Sequence, residues 1–131
     1  MLSFPPTVRI FLCAVRVDLR KSFDGLAGCV EQIIGADPLS GHLFVFFNRR
    51  ATLVKVLMWD RTGYCLYCKR LEQGRFSPVL SEDTGVAEVD FPRLQLLLEG
   101  IDLHESRQRK RWRLPARKVA PQGVAGIDLP P

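Results

Sequence analysis

The stretch LFVFFNRRATLVKVLMWDRTGYCLYCKRL, residues 43–71, decides the predicted fold because it holds three strand-like segments in close succession. Residues 43–47 are apolar and aromatic, residues 52–59 alternate along two faces, and residues 64–71 return after the turn-forming residues 60–63. Strands joined by such short connections pair antiparallel. The segment therefore predicts an antiparallel β-meander.

A strand and a helix are predicted before the meander. Residues 8–15, VRIFLCAV, are apolar and rich in β-branched side chains, which is typical of a strand. Apolar residues then recur with a helical period between Asp18, a candidate N-cap, and Gly35, a candidate C-cap. We expect this helix to pack on one face of the sheet.

A second helix is predicted over residues 91–101, with Asp90 as its cap and Pro92 in its first turn. The fold class expected is therefore α+β, with a mostly antiparallel four-stranded sheet packed with two helices. This single domain covers residues 1–105. Residues 106–131 are basic and contain Pro and Gly without apolar periodicity, which predicts a flexible C-terminal tail.

The composition is that of an ordinary globular protein, with 131 residues, 47% hydrophobic and 25% charged. Such a chain buries a core without disulfides or metals, so its four cysteines need not pair. No apolar run approaches the ~20 residues that span a bilayer. We therefore expect a cytoplasmic protein with no membrane partner.

The net charge of +5 is distributed in blocks along the chain. Residues 1–48 carry equal numbers of basic and acidic groups, and residues 49–75 hold seven basic and two acidic groups. Residues 76–105 hold one basic and seven acidic groups, and residues 106–131 hold seven basic groups and one acidic group. This pattern suggests either a polyanionic partner or self-association through opposite patches, and the sequence leaves both open.

Five ordered blocks of sequence carry a resemblance to a known family, and together they span roughly residues 1–110. They are RKSFDGL (20–26), DPLSGHLFVFFNRR (37–50), KVLMWDRTGY (55–64), YCKRLEQGRF (67–76) and LLLEGIDL (96–103). In this order and spacing the chain resembles the TnpB-type accessory proteins, encoded by the second open reading frame, of the bacterial insertion sequences of family sixty-six.

The resemblance implies a part in transposition. In that family the acidic residues that cut DNA are expected in a separate, larger transposase, so the small protein is expected to be a non-enzymatic accessory factor without a cofactor. The implied partners are DNA, at the ends of the element, and the transposase or another accessory protein. The leading hypothesis is direct DNA binding, and the alternative is a protein–protein adaptor for the transposase that does not itself bind DNA.

Basic residues of the meander are the first candidates for DNA contact. Arg49 and Arg50 lie in the first turn, Lys69 and Arg70 end the last strand, and Arg75 follows. In an antiparallel meander the first four lie at one end of the sheet, where arginine pairs grip phosphates with bidentate hydrogen bonds. The alternative is that they are solvated charges guarding the sheet edges.

The basic tail is the second candidate, because cations around Trp112 suit an arm that follows a phosphate backbone. Its candidate contacts are Arg107, Arg109, Lys110, Arg111 and Arg113. The alternatives are a solubilising tail or one that docks on the acidic residues 82–105.

Charged residues between the first strand and the first helix form a third group. Arg20, Lys21 and Asp24 are candidate contacts for a protein partner, or serve the helix terminus. Asp18, Asp24 and Asp60 could in principle bind a catalytic metal, but each lies at a predicted cap or turn, where aspartate is common for backbone reasons. We therefore predict neither a metal site nor nuclease activity.

Cys65 and Cys68 have the spacing of a zinc or redox pair. In a strand, however, residues three apart point to opposite faces, so the two thiols cannot readily share one metal. His104 likewise has no partner at catalytic spacing. The sequence thus predicts no enzyme active site.

Overall fold

The main body of the protein is a five-stranded mixed sheet, in a computed structural model that describes residues 7–78, 85–102 and 107–108. Its strands are, in chain order, β1 (Ile10–Cys13), β2 (Leu43–Phe47), β3 (Leu53–Trp59), β4 (Tyr64–Arg70) and β5 (Val86–Val89). Their spatial order is β4-β3-β2-β1-β5. β1 and β2 are parallel, whereas the other three neighbouring pairs are antiparallel.

The predicted meander is confirmed, because β2, β3 and β4 pair antiparallel in sequence order. The four-stranded, mostly antiparallel sheet is corrected in two respects. β5 adds a strand at the free edge of β1, and β1 runs parallel to β2. The parallel pair arises because the chain crosses over the sheet between β1 and β2, as every parallel connection must.

The crossover contains the first helix, α1 (Phe23–Cys29), which continues as a π-helical turn (Val30–Ile34). The predicted end at Gly35 is confirmed, since this residue takes a left-handed φ of 75°. The predicted cap at Asp18 is wrong. The helix begins after Ser22, and the Asp18 carboxylate instead accepts hydrogen bonds from Arg20.

The second helix, α2 (Phe91–Leu98), begins as the sequence predicts. The Asp90 side chain accepts a hydrogen bond from the Arg93 N–H at 2.9 Å, and a proline occupies the first turn. These are the two features that favour a helix start.

Each face of the sheet is covered by one helix, so the central strand β2 is buried on both faces. Leu26 and Val30 pack with Phe44, Phe46 and neighbours on the α1 face. On the other face, Leu94 and Leu97 of α2 pack with a second cluster of β1, β2 and β3 side chains. The alternation predicted for β3 is confirmed, because Leu57 contributes to the first cluster while Val54, Val56 and Met58 contribute to the second.

Two short strands follow α2. β6 (Ile101–Asp102) pairs antiparallel with β7 (Arg107–Gln108), so the backbone of the first tail residues pairs with the end of the predicted domain. The rest of the predicted tail, residues 109–131, lies outside the described residues.

Candidate nucleic-acid interface

One end of the sheet collects the loops that carry most of the basic side chains. β1 and β2 both end there because they are parallel. Since Leu53 pairs with Arg70, the start of β3 and the end of β4 lie beside them. The Val17 N–H donates to the Phe47 carbonyl at 3.0 Å, which holds the β1–α1 loop at the same end. We call this region the basic end; its cations are Arg16, Arg20, Lys21, Arg49, Arg50, Lys69, Arg70 and Arg75.

The turn between β2 and β3 is built around Asn48. Its side-chain oxygen accepts hydrogen bonds from the backbone N–H groups of Thr52 and Leu53 at 2.9 and 3.1 Å. Its carbonyl accepts from the Ala51 N–H at 3.0 Å, which closes a tight turn. Such side-chain closure is the usual role of Asn in turns, and it gives the turn a defined shape.

Arg49 and Arg50 occupy the two corner positions of this turn, and both are exposed. Among the described residues, no acidic side chain pairs with either of them, nor with Arg16, Lys21 or Arg75. The turn thus presents two adjacent, exposed guanidinium groups on a fixed backbone, a geometry suited to phosphate oxygens.

Arg75 joins the basic end through its neighbour in sequence. The Phe76 N–H donates to the Ala51 carbonyl at 2.7 Å, and the Phe76 ring packs against Phe47 with 5.7 Å between centroids. Ala51 itself is buried and has a left-handed φ of 57°, which is uncommon for a residue with a side chain. The segment that follows β4 is therefore attached directly to the arginine-bearing turn.

Lys69 and Arg70 lie at this end as predicted, but they differ in what they contact. The Arg70 side chain is exposed and forms an ion pair of 3.1 Å with Glu72. The Lys69 ammonium donates to the carbonyl of Leu98, the last residue of α2, at 2.7 Å. Since successive strand residues point to opposite faces, Lys69 fastens α2 to the sheet while Arg70 faces the other side.

Of the candidate protein-contact residues, Arg20 and Lys21 lie at or near the basic end, whereas Asp24 acts on Tyr64 at the other end of β4. Arg20 forms a 2.6 Å ion pair with Asp18, and its side-chain and backbone hydrogen bonds lower the pKa of Asp18 to about 2. The Lys21 carbonyl accepts a hydrogen bond from the Lys55 ammonium at 3.0 Å. Asp24 is exposed in the first turn of α1.

Sequence reasoning missed Arg16 and the fact that the β1–α1 loop shares an end with the β2–β3 turn. The signal that could have found it is a parallel β1–β2 pair, because the carboxyl ends of parallel strands meet at one edge. The meander alone brings together only Arg49, Arg50, Lys69 and Arg70.

Acidic groups gather toward the opposite end of β3 and β4. The Asp60 carboxylate accepts hydrogen bonds from the Thr62 N–H, the Cys65 thiol and the Gly63 N–H, which lower its pKa. The pKa of Tyr64 is raised by desolvation and then by the charges of three carboxylates. These carboxylates belong to Asp24, Glu31 and Asp37. The sheet therefore has a basic end and an acidic end.

Within the described parts of the chain, no three His, Cys, Asp or Glu side chains lie close enough together to hold a metal ion. Asp18 is paired with Arg20 and Asp60 closes the β3–β4 turn, so each serves its own local structure. Cys65 and Cys68 are free thiols on opposite faces of β4. As for membranes, the helices of the described residues are too short or too polar to cross one.

Comparison with known proteins identifies the family. The family model described as IS66 Orf2 like protein matches residues 8–108. Two proteins of Sinorhizobium fredii (strain NBRC 101917 / NGR234), both named as uncharacterized proteins, are similar to the chain. Protein y4hO is 36% identical over 124 residues, covering 95% of this chain and 99% of the relative. Protein y4jC is 33% identical over 95 residues, covering 72% of this chain and 80% of the relative.

No solved structure matches the chain. The family model nevertheless covers most of it, including the whole five-stranded sheet and both helices. The protein belongs to the IS66 Orf2-like family of insertion-sequence accessory proteins.

Proposed function

We propose that the protein is a non-enzymatic accessory factor of transposition that binds DNA through its basic end. The observation that carries this proposal is the turn that presents Arg49 and Arg50 side by side, exposed and without an acidic partner among the described residues. The family supplies the biological setting, since transposition acts on the ends of a DNA element.

The shape of the basic end supports contact with a phosphate backbone. Arg49 and Arg50 project from a turn whose backbone is fixed by Asn48, so little backbone conformational entropy is lost when they bind. Arg75 adds a third cation through the Phe76 attachment, and Arg70 adds a fourth whose charge is shared with Glu72. Phosphate contacts of this kind position a protein on DNA but do not read sequence.

The C-terminal arm extends the proposed contact. Its basic residues surround Trp112, a composition suited to following a backbone and stacking on bases. They are Arg107, Arg109, Lys110, Arg111 and Arg113. We expect Lys69 to contribute less to DNA binding than Arg49 and Arg50, because its ammonium group donates to the Leu98 carbonyl of α2.

The test is binding of the purified chain to a duplex carrying the terminal repeats of its element, against a scrambled duplex, over a series of salt concentrations. The proposal expects an affinity that falls steeply with salt, because each neutralised phosphate releases counterions. A preference for the terminal repeats would make the protein a sequence-reading component, whereas equal binding would make it a non-specific clamp. Absence of binding at moderate salt overturns the proposal.

A protein–protein adaptor is the second candidate, and exposed apolar side chains beside the basic end favour it. Val15 and Phe23 are 48% and 43% exposed, and they flank the charged residues Arg20 and Lys21. Aromatic and aliphatic groups next to cations are typical of protein contacts. Co-purification with the transposase that survives nuclease treatment would support the adaptor, and a complex that nuclease dissolves would contradict it.

A further inference from the structure

The outer edge of β4 is a long strand edge with which no described strand pairs. Its seven residues match β3 one to one from Trp59–Tyr64 to Leu53–Arg70, without a bulge and without a proline. Natural proteins usually interrupt such edges with bulges, prolines or charges. Here the only charged residues are Lys69 and Arg70 at one end, while Tyr67 at the centre is 44% exposed.

The backbone groups of this edge that no described strand meets belong to alternate residues. The Leu71 N–H donates to the Thr52 carbonyl, and hydrogen-bonded pairs alternate along an antiparallel ladder. Cys65, Tyr67 and Lys69 therefore bond toward β3. The N–H and carbonyl groups that point away from the sheet are those of Tyr64, Leu66, Cys68 and Arg70.

We propose that β4 pairs antiparallel with β4 of a second copy about a twofold axis at Tyr67, joining the two sheets into one. This register pairs all seven residues, with Tyr64 opposite Arg70 and Leu66 opposite Cys68. Both are pairs of outward-bonding residues, so every outward-pointing N–H and carbonyl of the edge meets a partner. Centring the axis on Leu66 or Cys68 shortens the ladder.

Charge complementarity selects the second copy as the occupant. In this register Lys69 of one copy lies opposite Cys65 of the other, whose thiol donates to the Asp60 carboxylate at 3.4 Å. Arg70 lies opposite Tyr64, the residue whose pKa is raised by desolvation and by the charges of three nearby carboxylates. The cationic end of β4 thus lies against the acidic end of the partner strand, twice, by symmetry, while Lys69 and Arg70 keep their own contacts with Leu98 and Glu72.

The first experiment measures the mass of the DNA-free full chain by analytical ultracentrifugation over a concentration series. We expect a monomer–dimer equilibrium. Cys68→Pro removes one outward N–H without removing a bond to β3, so it should weaken dimerisation on the order of tenfold or more. Cys68→Ser keeps the N–H and is the matched control, expected to dimerise like the original chain.

The second experiment tests the register and does not depend on how Cys68→Pro folds. In a Cys65→Ser, Cys68→Ser background, Tyr67→Cys places two thiols directly opposite each other, within the range a disulfide spans. Mild oxidation should give a covalent dimer. Leu66→Cys in the same background places its thiols two residues out of register and should not cross-link.

A chain that stays monomeric at every concentration overturns the proposal, including the case in which its own C-terminal segment covers the edge. A dimer that resists Cys68→Pro and does not cross-link at Tyr67→Cys uses another surface and overturns it as well. DNA binding by a monomer would leave the proposed function standing while this inference fails.

Discussion

The Phe76 N–H and the Ala51 carbonyl are joined by a hydrogen bond of 2.7 Å that links two loops at the basic end. One loop is the β2–β3 turn with Arg49 and Arg50, and the other follows β4 and carries Arg75. Because Phe76 is also buried against Phe47, the link has an apolar anchor. The cations of the two loops are thereby held together as one surface.

Replacing Phe76 with alanine should loosen this link and empty part of the core. Phe76 is 3% exposed, and removal of a buried Phe side chain costs about 3–5 kcal/mol of unfolding free energy. Urea denaturation followed by circular dichroism measures the loss. Phe76→Leu, which keeps most of the apolar volume, should lose much less, and equal losses would show that ring packing is not what holds the loop.

Replacing Arg49 and Arg50 together with alanine should weaken DNA binding without unfolding the domain. Both side chains are exposed and unpaired by acids among the described residues, so their removal leaves the core intact. The slope of the logarithm of affinity against the logarithm of salt concentration should become shallower by about 2, because each lost phosphate contact contributes near 0.9 to it.

The control for that pair is Arg61→Ala, which removes one positive charge where the pair removes two. Arg61 is exposed in the turn at the acidic end, far along β3 from Arg49 and Arg50. It should leave the salt slope unchanged. A loss about half as large as that of the pair would mean that net charge, not the basic end, determines binding.

Replacing Asn48 with alanine should destabilise the turn. Two backbone N–H groups, those of Thr52 and Leu53, would lose their acceptor, at a cost of about 1–3 kcal/mol. Asn48→Asp retains an acceptor oxygen and should recover most of the stability. Chemical denaturation of the three chains measures the difference, and an alanine variant as stable as the original would contradict the assigned role.

Replacing Lys69 with methionine should affect stability more than DNA binding. The variant keeps the apolar stem but loses the hydrogen bond to the Leu98 carbonyl, which for a charged donor is worth about 1.5–3 kcal/mol. Denaturation and the salt slope are measured on the same sample. A slope reduced by about 1 with unchanged stability would assign Lys69 to phosphate contact instead.

The pKa of Asp18, about 2 in the folded chain, should rise toward its ordinary value of 3.8 when Arg20 is replaced by glutamine. A carboxyl group whose pKa is lowered on folding stabilises the fold at pH values above its ordinary pKa. That contribution disappears as the pH falls from about 3.8 through about 2. NMR titration of the Asp18 carboxyl in both chains tests this. An unchanged pKa in the variant would show that the ion pair is not formed in solution.

The meander was predictable because everything that defines it is local. Turn residues and alternation fix β2, β3 and β4 within a short stretch, and the register follows from the turns. β5 was missed because VAEV is only four residues long and follows acidic sequence. It becomes a strand through pairing with β1, a partner distant in sequence, which no local pattern reports.

Local competition explains the error at the first helix. Asp18 is an excellent cap in isolation, but Arg20 two residues later takes up its carboxylate. The helix then begins at Phe23 without a side-chain cap and owes its place to Leu26 and Val30 in the core. Tertiary packing therefore overrode the capping signal.

The candidate site was predicted in part for the same reason. The shared location of Arg49, Arg50 and Arg70 follows from the meander alone. The attachment of Arg75 through Phe76 and the engagement of Lys69 with Leu98 depend on loops and a helix that pack from elsewhere in the chain. Side-chain partners of this kind are fixed by the tertiary structure.

The position of β1 between β2 and β5 has a consequence for synthesis on the ribosome. The early strand β1 can gain its second neighbour only after residues 86–89 have left the exit tunnel, later than the meander strands β2, β3 and β4. During that interval β1 offers an apolar edge, IFLC, to other nascent chains. Slow translation before β5 would therefore favour aggregation or strand exchange between neighbouring copies.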